Sequence, residues 1–389
     1  MPPPRLIRLL CVMMAAYTFS IGTFPALLPE IAVALRLPDW QLGLLAGSFG
    51  FARMISDIPG GLLTTHHVRR AMVMAPMFMI GGAALVISGG ELGWVTLGRL
   101  LMGIGHTLGM LSGLTVILRH QPPGNLASAL NAFEFSAMLA VLGGVTLVGL
   151  LPQTLPWNLV FLLGCVPMLL GLSLLRSVLA RLPPTERAQP WFARTAPSAA
   201  DDRRDDIARV ALAFAAGGTV AVTYATVEAF LIPIRGSREF GLERAGVARL
   251  LMMAQIADVL ALLPIGALAD RRGTARVLAG VLLVFAIAIT LIGFGALPQV
   301  IAGCLVFGLA MAGWMLPLGL LRSATPASRV AWRAALYRVC VDGGMFLGPF
   351  VSGLIAARAP RILPGVLAVT LGVLAVMLTV RGASRSARV

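Results

Sequence analysis

Apolar residues run through this chain in long blocks, broken by short polar stretches in which arginine recurs. A helix of about 20 apolar residues crosses a hydrocarbon layer roughly 30 Å thick. The pattern predicts twelve such helices, near 6–34, 39–64, 69–91, 93–118, 127–152, 157–181, 207–234, 243–269, 274–294, 296–321, 332–357 and 361–380. Hydrophobic residues make up 58% of the 389 positions and charged residues 12%, with a mean hydropathy of +0.90. Soluble domains carry roughly one quarter charged residues, so a soluble fold is excluded and little chain is left for extramembrane domains. The expected fold class is an all-α membrane protein.

The formal net charge of +15 changes this picture little. A nucleic-acid surface needs its basic residues gathered on a water-soluble face. Here they are spread through short loops, mostly on one side of the predicted membrane. By the positive-inside rule that side is cytoplasmic and holds both termini, as in a multi-pass protein of a bacterial inner membrane. The arginines then serve topology and contact with anionic membrane lipid, and no nucleic-acid partner is expected.

None of the 31 basic residues is lysine, which removes P-loop and Schiff-base chemistry. Cys11, Cys165, Cys304 and Cys340 stand singly in separate apolar runs, without metal or redox spacing. G-x-S-x-G and H-E-x-x-H are absent as well, so no enzyme, cofactor or metal is expected. The first apolar run is too long for a secretory signal and lacks a convincing cleavage site, so it is expected to remain as a helix.

The chain repeats itself. Pro59-Gly60-Gly61-Leu62-Leu63 closes the second predicted helix, and Pro264-Ile265-Gly266-Ala267-Leu268 closes the eighth, 205 residues later. Between the copies, residues 183–206 are polar, proline-containing and without apolar periodicity, as in a linker. The expected organisation is a six-helix bundle over 1–182, a cytoplasmic linker over 183–206 and a second bundle over 207–389. Two such repeats are a transporter architecture.

Gly266-Ala-Leu268-Ala-Asp270-Arg271-Arg272-Gly273 matches the G-x-L-x-D-R-x-G loop pattern of the major facilitator superfamily, which the chain resembles over essentially its whole length. In the first half Thr65 replaces the acid, His66 the arginine and Val68 the last glycine. Arg99-x-x-x-Gly103-x-Gly105, Trp157-x-x-x-Phe161 and Gly344-x-x-x-Gly348-Pro349-x-x-x-Gly353 add to the likeness. The resemblance implies two pseudo-symmetric bundles around a central cavity, and a cytoplasmic closure braced by Asp270 and Arg271. Asp270 would then face the N-terminal end of the fifth helix, where the helix dipole favours an anion. The alternative for that loop is a plain surface turn.

Charges inside apolar helices are expensive, so each one points to pairing or function. Arg53 and Asp57 lie one turn apart in the second predicted helix, and Arg338 and Asp342 one turn apart in the eleventh. In the resembled family these two helices pack across the boundary of the halves. Asp57 and Arg338 would both lie roughly 8–11 Å from the cytoplasmic end, and Arg53 and Asp342 roughly 14–17 Å. Crossed pairs, Asp57 with Arg338 and Arg53 with Asp342, are expected to act as a cytoplasmic gate, unless each pair closes within its own helix.

Glu134 and Asp258, on helices at the other boundary, place like charge near like. Two carboxylates in low dielectric do not both ionise readily, so one can carry a proton; either acid could instead neutralise an arginine. Arg99 and His106, seven apart on one face of the fourth predicted helix, are further proton-coupling candidates. The glycines among them, Gly105, Gly109 and Gly113, suit close helix packing and not a dinucleotide site. Tyr17, Tyr224, Glu228 and Trp314 are candidates for lining a substrate cavity, with packing as their alternative.

The sequence thus leads to a monomeric, proton-coupled secondary transporter of a small-molecule substrate. Its apolar lining favours efflux by antiport, and uptake by symport is the alternative. A receptor or membrane enzyme comes last.

Overall fold

The computed structural model describes residues 4–121, 123–182 and 206–386. Every regular element among them is helical, and eleven helices are long and apolar enough to cross a membrane. The first half comprises α1 (Pro4–Ala34), α2 (Asp39–Ser88), α3 (Leu92–His120), α4 (Pro123–Leu150), α5 (Trp157–Cys165) and α6 (Pro167–Arg181). The second comprises α7 (Ile207–Thr226), a π-helical turn at Val227–Leu231, α8 (Ile232–Arg238), α9 (Arg244–Arg272) and α10 (Thr274–Phe294). It continues with α11 (Leu297–Met311), α12 (Leu316–Ser323), α13 (Ala327–Ala356) and α14 (Ile362–Ser386). Most of the expected linker, 183–205, lies outside the described residues; its last residue, Asp206, caps α7 by accepting the Arg209 backbone N–H at 3.1 Å.

Two differences from the predicted elements have local causes. The helices expected at 39–64 and 69–91 form one 50-residue α2, with helical dihedrals lost only at His67 (φ −138, ψ 51). At 1.5 Å per residue this helix is about 75 Å long, enough for two crossings, and counting it as two gives the expected twelve. The first loop motif is therefore a kink and not a turn, which accounts for its tolerance of Val68 where the second copy has glycine. Arg119 of α3 donates to the Thr65 carbonyl at 2.6 Å, a backbone group beside the kink. In the second copy Gly273 adopts φ +88, a region an L side chain rarely enters, and it directly precedes α10. The other difference is that three predicted helices are interrupted: at Val166 before Pro167, by the π turn after α7, and at 312–315 between α11 and α12.

The described residues form two compact units. One takes those of Met1–Pro38, Ser48–Ala193 and Gly241–Arg249; the other takes those of Asp39–Gly47, Arg194–Phe240 and Leu250–Val389. In the first unit α1 packs mainly on α4 and α6, and in the second α7 packs mainly on α13 and α10 on α14. The α1–α4 and α7–α13 pairs are repeat mates and close by the same means. A Cβ on Gly144 would strike the Phe19 carbonyl, and one on Gly348 would lie 2.5 Å from the Val222 carbonyl. Glycine at these positions lets backbones meet directly, the usual way of packing helices in lipid.

Candidate functional site

Each unit buries its own polar cluster. In the first, the cluster is built on α3 around the Phe49 ring of α2. The Arg99 guanidinium carbon lies 4.9 Å from the Phe49 centroid and 3.9 Å from that of Phe24 on α1. Phe24 is itself held edge-on by Phe161 at 6.1 Å. His106 tilts against Phe49 at 5.5 Å, and Arg53 reaches the same ring at 6.0 Å. Arg99 is 5% exposed and His106 4%, so two residues two turns apart on one helix share an aromatic neighbour in the interior.

The rings meet the guanidinium but leave its Nε and Nη1 unbonded. Among the described residues, Arg99 Nε and Nη1, the Thr107 and Ser112 hydroxyls and the Tyr17 hydroxyl are buried without a hydrogen-bond partner. Tyr17 lies against Gly109 and Gly171, where a larger residue would collide with its ring at the latter. Each cation–π contact contributes about 0.5–2 kcal/mol, whereas each unmet buried donor costs about 1–3 kcal/mol.

The second unit's cluster is acidic. Glu228 sits in the π turn, a helical irregularity often found at functional sites. It is buried, accepts a hydrogen bond from Gln255 Nε2 of α9 at 3.1 Å, and accepts another from the Tyr224 hydroxyl one turn earlier. The Tyr224 ring is fixed by parallel stacking on Phe307 at 6.3 Å. Asp258, three residues beyond Gln255 and so on the same face of α9, is buried within electrostatic range of Glu228. The carboxylate within range of Asp258 is Glu228, a cavity candidate in the sequence, whereas the sequence expectation pairs Asp258 with Glu134. Gln255 was missed, although a neutral amide one turn from an intramembrane acid was a readable signal. Glu134 is half-buried on α4.

The remaining candidates separate. Asp57 and Asp342 are buried, while Arg53 and Arg338 are half-buried. Trp314 is half-buried at the break between α11 and α12. Gly266, Asp270, Arg271 and Gly273 are exposed, at the end of α9 and the turn after it.

A third constellation had no counterpart in the sequence reading. The Arg244 side chain, fully buried at the start of α9, donates to Glu30 Oε2 of α1 at 3.0 Å and to the Leu155 carbonyl at 3.0 Å, and it also bonds the Pro152 carbonyl. In the second unit Arg238 pairs with Asp39 at 2.6 Å. Arg235 pairs with Glu239 at 2.6 Å and donates to the Gly295 carbonyl at 3.1 Å.

The family model of the Major Facilitator Superfamily matches residues 9–245 and 210–389. Among solved structures, a POT family transporter in complex with a thioalcohol-conjugated peptide superposes with a TM-score of 0.83 at 14% identity, covering 98% of this chain and 96% of that one. A mutant of the nucleoside transporter NupG gives 0.74 at 14%, covering 96% and 99%. A bacterial homologue of the human lysosomal transporter Spinster, inward-facing and unoccupied, gives 0.70 at 15%, covering 98% and 96%. With multi-pass apolar helices, an internal repeat and a family match across its length, this chain belongs to the Major Facilitator Superfamily of secondary transporters.

Proposed function

We propose that the protein couples proton movement to transport of a small organic solute by alternating access, with the acidic cluster of the π turn as its proton site. The observation that carries this reading is the buried pair Glu228 and Asp258, bridged to two helices by Gln255 and Tyr224. Two carboxylates in each other's range inside a membrane hold one negative charge far more readily than two, so the pair takes up and releases a proton as water reaches it. Glu134, Arg99 and His106 remain proposed contributors, and the crossed pairs Asp57 with Arg338 and Arg53 with Asp342 the proposed cytoplasmic gate. The orientation places both termini in the cytoplasm, and the unit of function is a monomer.

Direction follows from the nature of the solute. An apolar lining favoured export by antiport, but buried side chains able to bond a solute, in both units, favour a polar one and uptake by symport. Solved relatives in fold include POT family transporters holding a conjugated peptide and 5-aminolevulinic acid, which supports the same reading. Antiport of an amphipathic compound is the second reading, favoured by the aromatic rings of Phe24, Phe49 and Phe307 beside those polar groups. Proteoliposomes under an imposed pH gradient separate them: symport concentrates solute on the side to which protons flow, and antiport on the opposite side.

A further inference from the structure

The chemistry of the first unit's cluster narrows the solute class, and the inference rests on the transporter reading above. The unbonded atoms of the cluster's buried cation are donors only. Arg99 offers two unbonded guanidinium N–H positions, at Nε and Nη1. No acidic side chain pairs with Arg99 among the described residues. Two other buried cations among the described residues reach strong acceptors: Arg244 bonds a carboxylate and two carbonyls through its Nη groups, though its Nε is unbonded, and Arg235 bonds a carboxylate and carbonyls. The contrast is within one molecule, so it does not stem from a general shortage of acceptors in its interior.

The Arg99 guanidinium carbon lies over the rings of Phe24 and Phe49, and its Nε and Nη1 N–H groups are left for a ligand. Such N–H groups are the part of guanidinium that bonds a carboxylate, and flanking rings favour a solute with an apolar body. A second base, His106, lies against the same Phe49 ring. We propose that Arg99 is the anchor for the anionic group of an organic acid, and that the apolar part of that acid lies against Phe24 and Phe49. Arg99 thereby acts as a binding residue for the solute, while the proton resides with Glu228 and Asp258.

The test is binding by the purified full-length protein without any gradient, read by tryptophan fluorescence and by thermal unfolding. The probes are hippurate and N-acetylphenylalanine, each against its neutral amide, with phenyl phosphate as a second anion class. The acids are expected to bind and stabilise where their amides do not, and Arg99→Gln is expected to weaken acid binding by about 30-fold or more while leaving the amides unchanged. Arg99→Lys, which keeps the charge without the planar fork, is expected to fall between. Binding of phenyl phosphate with the same dependence on Arg99 equally supports an organic anion. Equal binding of acids and amides by the unaltered protein, no binding of any anion at millimolar concentration, or acid preference that survives in Arg99→Gln overturns the proposal. If Arg99→Gln does not fold, the acid–amide comparison and Arg99→Lys decide. Because no flux is read, acid binding without proton-linked transport would refute the coupling reading alone, and proton-linked transport of neutral solutes only would refute the anion site alone.

Discussion

The buried polar groups of the two units are of opposite kind. In the first, α3 carries Arg99 and His106 against Phe49, and the unbonded Nε and Nη1 of Arg99 are donors. In the second, the π turn and α9 carry Glu228 and Asp258, and the acid at the turn is already held by Gln255 and Tyr224. The two units nevertheless pack alike: Gly144 of α4 and Gly348 of α13 each let a helix pair close through backbone contact. Packing has been kept between the copies while the charges have parted. Shared architecture thus leaves each half free to take a separate task, for which we propose donors that hold a solute and acids that hold a proton.

The comparison breaks most readily at Glu228. Glu228→Gln keeps the Gln255 contact in outline but removes the charge shared with Asp258, and it is expected to abolish gradient-driven transport, at least 100-fold in rate, while solute exchange without a gradient persists. Loss of exchange as well would move Glu228 to the solute site. Next in size is the proposed gate: Asp57→Arg is expected to lower transport about tenfold or more, and Arg338→Asp in the same chain to restore a good part of it. Absence of any recovery would leave the pair closed within its own helix.

Two smaller effects concern stability. Arg244→Gln strips the charge partner of Glu30, whose side chain is 32% exposed, and bonds to two carbonyls. Removing one member of a buried pair costs about 3–5 kcal/mol, and the partial exposure of Glu30 reduces this to about 2 kcal/mol, visible as a lower unfolding midpoint. Gly273→Ala places a side chain at φ +88 in otherwise open space, so strain alone is at work and about 1 kcal/mol is expected. Val68→Gly in the degenerate copy is expected to give no matching gain, because the backbone there has no positive φ to relieve.

Much of the fold was legible because bilayer thickness imposes one length on every apolar run. The interruptions at Val166, the π turn and 312–315 were not, since neighbouring helices, and no local residue pattern alone, stabilise irregular backbone inside a membrane. Candidate residues were legible for a related reason: charge is so costly in lipid that Arg99, Glu228 and Asp258 stand out individually. Their partners were harder. Gln255 carries no charge, and Phe49 is one of many apolar residues, so nothing in sequence distinguishes the ring that gathers Arg53, Arg99 and His106. The Arg244–Glu30 pair lies 214 positions apart and depends on a tertiary approach that spacing cannot encode.

The central claim, that this transporter couples solute to protons through the acidic cluster, is tested most directly by internal pH in proteoliposomes. With an inward proton gradient and a transported solute added, the account predicts a solute-dependent proton flux in the native protein and none in Glu228→Gln. Solute movement with no accompanying proton flux, or the same flux in both proteins, would contradict it.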